Sequence, residues 1–114
     1  MILVPFALFA ETRSDRVRSY FRTLDVDVTT ARPVAGAYTM VAVGGSHTLI
    51  GTATIAGFAD IDCNDANDRN VVFAFADDHI PSQGGVVGLA LTCAHELGHS
   101  FGLEHTDNPH DLLY

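Results

Sequence analysis

The chain opens on an apolar run, Met1-Ile2-Leu3-Val4-Pro5-Phe6-Ala7-Leu8-Phe9-Ala10, rich in β-branched and aromatic side chains and followed directly by a helix signal. That succession predicts a buried first strand at the head of a βα unit. From Ser14, a favourable N-cap, to Leu24, the residues Val17, Tyr20, Phe21 and Leu24 recur at three- and four-residue spacings and predict an amphipathic helix. Arg13, Arg16, Arg18 and Arg22 fall mostly off that stripe and read as a solvated cationic face. Val26-Asp27-Val28-Thr29-Thr30 alternates like a half-buried strand until Arg32-Pro33 and Gly36 break it. Three more extended segments follow: Tyr38 to Val43, stopped by Gly44-Gly45; Gly51 to Ala59; and Asn70 to Ala76, ending in Asp77-Asp78-His79. Ile80 to Gly85, with Pro81 and Gly84-Gly85, predicts a loop. A last helix then runs from Val86 or Val87 to about Phe101, with Leu89, Ala90, Cys93, Ala94 and Leu97 on its sheet-packed side. The predicted order is β, α, β, β, β, β, α.

A length of 114 residues with 47% hydrophobic content suits one domain, residues 1–114, large enough to bury a core. The net charge of −8 disfavours a polyanion-binding surface, so nucleic acid is not an expected partner. The first ten residues are too few to span a membrane, and they lack the basic n-region and A-x-A site of a signal peptide. Two cysteines, Cys63 and Cys93, leave two readings open. Either they pair and stabilise the fold by roughly 3–4 kcal/mol on the loop-entropy model, or Cys93 is simply a small buried apolar residue.

Candidate chemistry is concentrated in His95-Glu96-Leu97-Gly98-His99-Ser100-Phe101-Gly102-Leu103-Glu104-His105, an H-E-x-x-H-x-x-G-x-x-H pattern. On a helix, His95 and His99 stand one turn apart on one face, where two imidazoles can meet one metal ion. Glu96 is one position round from that face, placed to serve as general base towards a metal-bound water. Gly102 permits a left-handed turn that swings His105 back as a third ligand. Three neutral nitrogens plus water make an open, catalytic-type zinc site. Five fixed positions, each at about 5% usage, match by chance in on the order of one window in a few million.

These residues resemble the metzincin metallopeptidases, and Gly98 and Thr106 resemble the matrixin version of the motif. The resemblance implies an α+β fold: a twisted five-stranded mixed sheet with a backing helix and an active-site helix, a metzincin-like upper subdomain with a very short lower part. It implies a tight turn below the metal, here His105 to Tyr114, with Gly102, Leu113 and Tyr114 as its structural residues. Leu113 stands where the family carries methionine, a near-isosteric exchange costing under about 1.5 kcal/mol. Ile55, Ala56, Gly57 and Phe58 resemble the edge strand along which an extended peptide or protein substrate lies. Matrixins commonly bind calcium, and Asp60, Asp62 and Asn64 offer oxygen ligands in a loop that reads otherwise as a solvated turn. A second, structural zinc is not expected, because the strand position that would hold its histidine is apolar and His47, His79 and His110 do not converge. The expectation is a secreted, zinc-dependent endopeptidase hydrolysing peptide bonds through a metal-bound water with Glu96 as base. The alternative is a catalytically weak or inactive zinc-binding module, or a fragment of a larger matrixin-like protease.

Overall fold

The structure, a computed structural model, describes residues 2–3, 11–51, 53–79 and 85–114. Its elements are β1 (Ile2–Leu3), α1 (Glu11–Phe21), β2 (Val28–Thr29), β3 (Thr39–Val43), β4 (Gly57–Phe58), β5 (Val71–Ala74) and α2 (Gly85–Ser100). The result is a small α+β fold with a mixed sheet and two helices. Its regular part is three-stranded: β5 lies between β3, to which it is parallel, and β4, to which it is antiparallel. The two-residue β1 and β2 continue the sheet beyond β3, giving the order β2-β1-β3-β5-β4.

The core lies between the sheet and the helices. Val41, Val43, Val72 and Ala74 supply the sheet side, Val17 and Phe21 come from α1, and Leu89, Ala90, Cys93, Ala94 and Leu97 come from α2. All five α2 residues are those the periodicity assigns to the sheet-packed face. Phe21 meets Phe101 edge-on with ring centroids 6.1 Å apart, which ties the C-terminal ends of the two helices together. Among the described residues no helix is long and apolar enough to cross a membrane.

Several expectations are corrected. α1 begins at Glu11, so Ser14 is not its N-cap but a buried residue of its second turn, and the helix ends at Phe21 rather than Leu24. Leu24 bonds back to Phe21 O in a turn and is exposed, as is Tyr20, so only Val17 and Phe21 of the predicted stripe are buried. Arg18 is not merely solvated, since its Nε donates to Val28 O at 2.9 Å and fastens α1 to β2. The extended segment 51–59 contracts to Gly57–Phe58 because its partner runs out: β4 pairs only with Ala74 and Phe73, and after Phe75 the chain turns into a 3-10 helix over Ala76–Asp78. The predicted strand residues 4–10 and most of the predicted loop, 80–84, lie outside the described residues.

Candidate metal centre

α2 terminates in a Schellman motif: Gly102 N–H donates to His99 O at 2.9 Å and Leu103 N–H to Gly98 O at 3.1 Å, with Gly102 at φ +87°. A β-carbon at Gly102 would lie 2.7 Å from Asp62 O and 3.2 Å from Asn64 N, so the turn needs glycine for conformation and for space. The reversal returns His105 to the helix. The Nε2 atoms of His95, His99 and His105 form a triangle with edges of 3.0, 3.2 and 3.2 Å.

Hydrogen bonds on the far side of two rings fix their tautomers. His95 Nδ1 faces Leu112 O at 3.0 Å and His99 Nδ1 faces Leu103 O at 2.7 Å. A carbonyl only accepts, so each Nδ1 carries the proton and each neutral ring presents a lone pair from Nε2. Two lone pairs 3.2 Å apart repel unless a cation lies among them. A tetrahedral zinc with Zn–N of 2.0–2.1 Å sets its nitrogens about 3.3–3.4 Å apart. The donor set and its spacing therefore fit zinc, and among the described residues this is the only group of three or more His, Cys, Asp or Glu side chains able to hold an ion. Burial lowers the pKa of His95, aided by the neighbouring imidazoles and opposed by the bond to Leu112 O, which keeps the ring in the form that binds metal.

Below the centre the chain turns back between Thr106 and Leu113. Thr106 N–H donates to Leu113 O, Leu113 N–H donates to Asp111 Oδ1, and the Leu113 side chain is buried directly against Gly98. A β-carbon at 98 would lie 2.8 Å from Leu113 Cδ2, so any larger residue at 98 would make the leucine side chain shift. Tyr114 is exposed on the cleft wall.

Glu96 is buried, with 8% of its surface exposed, and burial pushes its carboxyl up to about 7. It sits against β4, where a β-carbon at Gly57 would lie 2.7 Å from Glu96 Oε1 and 2.7 Å from Phe73 O. Glu96 and the three histidines line a cleft of about 550 Å³ together with Ile55, Ala56, Gly57 and Phe58. The residues read as an edge strand are thus brought to the histidines, although only Gly57 and Phe58 are strand. The role of Gly57 beside Glu96 is not evident in its sequence neighbourhood; its signal was a glycine inside a strand pattern, which marks close approach.

Other expected sites are corrected. Cys63 and Cys93 are both free. Cys93 is fully buried in the sheet-facing side of α2, its thiol pushed up to about 12 by burial. Cys63 is exposed in a loop whose neighbouring Asp62 bonds to His99 O, about 9 Å beyond Cys93 along the helix, further than a disulfide reaches. Calcium finds no support at Asp60, Asp62 and Asn64. The Asp62 carboxylate already accepts from the Asn70 amide, Asn67 N–H and Ala66 N–H, which hold its pKa down, and Asn64 sits at positive φ within a 3-10 turn. Of the spare histidines, His47 bonds Asp78, while His79 bridges Phe75 O and Thr92 Oγ1.

No curated protein matches the chain. A family model described as metallo-peptidase family M12B, reprolysin-like, matches residues 11–106, a stretch that takes in both helices, β2 to β5 and all three histidines. The match reaches a metzincin-type metallopeptidase and, with it, zinc and a protein substrate; it does not reach the matrixin subtype. On most of its length, and on the imidazole triangle that stretch encloses, the chain belongs to the reprolysin-like M12B metallopeptidase family.

Proposed function

We propose that this protein is a zinc-dependent endopeptidase that hydrolyses bonds within extended peptide segments. The observation that carries the reading is a single cleft lined by Glu96, the Nε2 triangle and an edge strand. Zinc held by His95, His99 and His105 supplies Lewis acidity to the scissile carbonyl and to the attacking water. Glu96 takes the proton from that water as its oxygen adds to the carbonyl carbon. It then delivers the proton to the departing amine as the C–N bond breaks, so no covalent intermediate with the protein forms. The outer side of β4 offers backbone groups for strand addition, and Gly57 lets that backbone lie close to the carboxylate. At the level of subtype, Thr106 and the Gly98–Leu113 contact support a matrixin-like turn carried on a reprolysin-like frame.

The test is Glu96→Gln. Cleavage of an unfolded protein substrate should fall by at least about 100-fold while stoichiometric zinc is retained. A Gln variant as active as the parent removes Glu96 from the mechanism. A parent that binds zinc and cuts no peptide in a diverse library supports a zinc-binding module without turnover.

A further inference from the structure

The loop from β4 to β5 gathers Asp60, Asp62, Asn64, Asp65, Asn67 and Asp68, and the chemistry at the metal does not explain them. Its centre is Asp62. The carboxylate accepts from Ala66 N–H at 3.1 Å, from Asn67 N–H at 2.8 Å and from Asn70 Nδ2 at 2.7 Å. The backbone of the same residue acts on α2: Asp62 N–H donates to His99 O at 3.0 Å, and Asp62 O sits where a side chain at 102 would begin. Asn70 adds a second strap, its Nδ2 reaching Ser100 O at 3.2 Å. His99 O and Ser100 O are among the carbonyls that the end of a helix leaves without an intrahelical partner, and the loop supplies donors to both. To pass so close, the backbone takes positive φ at two successive non-glycine residues, Asn64 at 65° and Asp65 at 50°. Such geometry persists only where surrounding bonds enforce it, and Asp62 gathers those bonds.

We propose that Asp62, assisted by Asn70, is a positioning residue for the metal centre: its carboxylate fixes the loop that seals the end of α2 and confines Gly102, so that the chain delivers His105 to His95 and His99. The inference rests on the zinc reading of the three histidines. Without the carboxylate, the Ala66 and Asn67 amides and the Asn70 side chain lose their common acceptor, and the loop is released from the turn. His105 is the ligand affected, because it is the one not carried on the helix and lies only three residues past Gly102.

The test is a double-mutant cycle on the full chain, with zinc affinity measured by competition against a chromogenic chelator. Asp62→Ala should weaken zinc by about 10–100-fold, the range for groups that orient metal ligands, and should weaken the visible absorption of the Co²⁺-substituted protein. Asp62→Asn, keeping one acceptor oxygen, should fall between it and the parent. Asp60→Ala removes an exposed charge from the same loop and should stay within about twofold of the parent. In a His105→Ala background the effect of Asp62→Ala should shrink to within about twofold, because there is no third ligand left to place. An equal loss with and without His105, or no loss at all, overturns the proposal. If circular dichroism shows Asp62→Ala unfolded, Asp62→Asn takes its place in the same cycle. A parent that binds no zinc brings down the functional reading and this inference together, whereas zinc binding with an additive cycle brings down this inference alone.

Discussion

Gly57 has no room to become anything else. Its missing side chain is bounded by Phe73 O and by the Glu96 carboxylate, and the first of these belongs to a paired strand that cannot retreat. Gly57→Ala is therefore expected to cost about 1–3 kcal/mol of stability and to displace Glu96, cutting peptidase activity while zinc stoichiometry holds. Thermal unfolding and metal analysis on the same sample check both halves. Glu96 itself sets a pH dependence. Its carboxyl titrates near 7 in the fold against an ordinary 4.5, so as pH rises through that window the unfolded chain ionises first and the metal-free protein loses stability. Glu96→Gln should consequently raise the stability of the metal-free protein at about pH 8, by up to about 3 kcal/mol, and change little at about pH 4; denaturant titration at the two pH values decides it. The histidines were legible because ligand spacing along one helix and one turn is written in consecutive residues. The pressure of Gly57 on Glu96 joins positions far apart in the chain, and no local pattern carries it.

The elements differ in how completely local sequence determines them. α2 spans Gly85–Ser100, close to the range its apolar period predicts, because a helix closes its hydrogen bonds within itself. Strands borrow theirs, so β4 does not extend before Gly57, where β5 gives way to a 3-10 helix, whatever Gly51 to Ala59 would allow. The Ser14 cap fails for a related reason: Ser14 is buried within α1, three residues after a helix start whose neighbours upstream lie outside the described residues. The loop between β4 and β5 reads from composition as a solvated or calcium-binding turn, yet its polar groups mostly satisfy one another and the end of α2. At the far side of the helix, Leu113 fills the space over Gly98. Leu113→Ala should destabilise by about 2–5 kcal/mol, whereas Leu113→Met should cost under about 1.5 kcal/mol, both measured by chemical denaturation.

For the molecule as a whole, the metal is a folding ligand as well as a reagent. Three rings drawn together with two facing lone pairs gain most from a cation, so chelation should lower the unfolding temperature at neutral pH. The stabilisation should weaken as pH falls, because protons compete with the metal for the same nitrogens. A chelator that leaves the unfolding temperature unchanged at neutral pH would contradict this coupling. Independently of metal, Asp62 and Asp78 have carboxyls held below their ordinary range, Asp62 chiefly by the Asn70 amide and Asp78 chiefly by the His47 backbone N–H. Their contribution is present above the ordinary carboxylate range and is lost as pH falls through the lowered values, so acid unfolding should set in below about pH 4 and earlier for Asp62→Asn.

The imidazoles of His95 and His99 lean on main-chain carbonyls, not on carboxylates. Both supports are electrically neutral, so a divalent ion held by these rings would keep more of its formal charge than one with anionic backing. Its pull on an oxygen atom in the cleft would be correspondingly strong, with the Glu96 carboxyl on the same cleft to answer it.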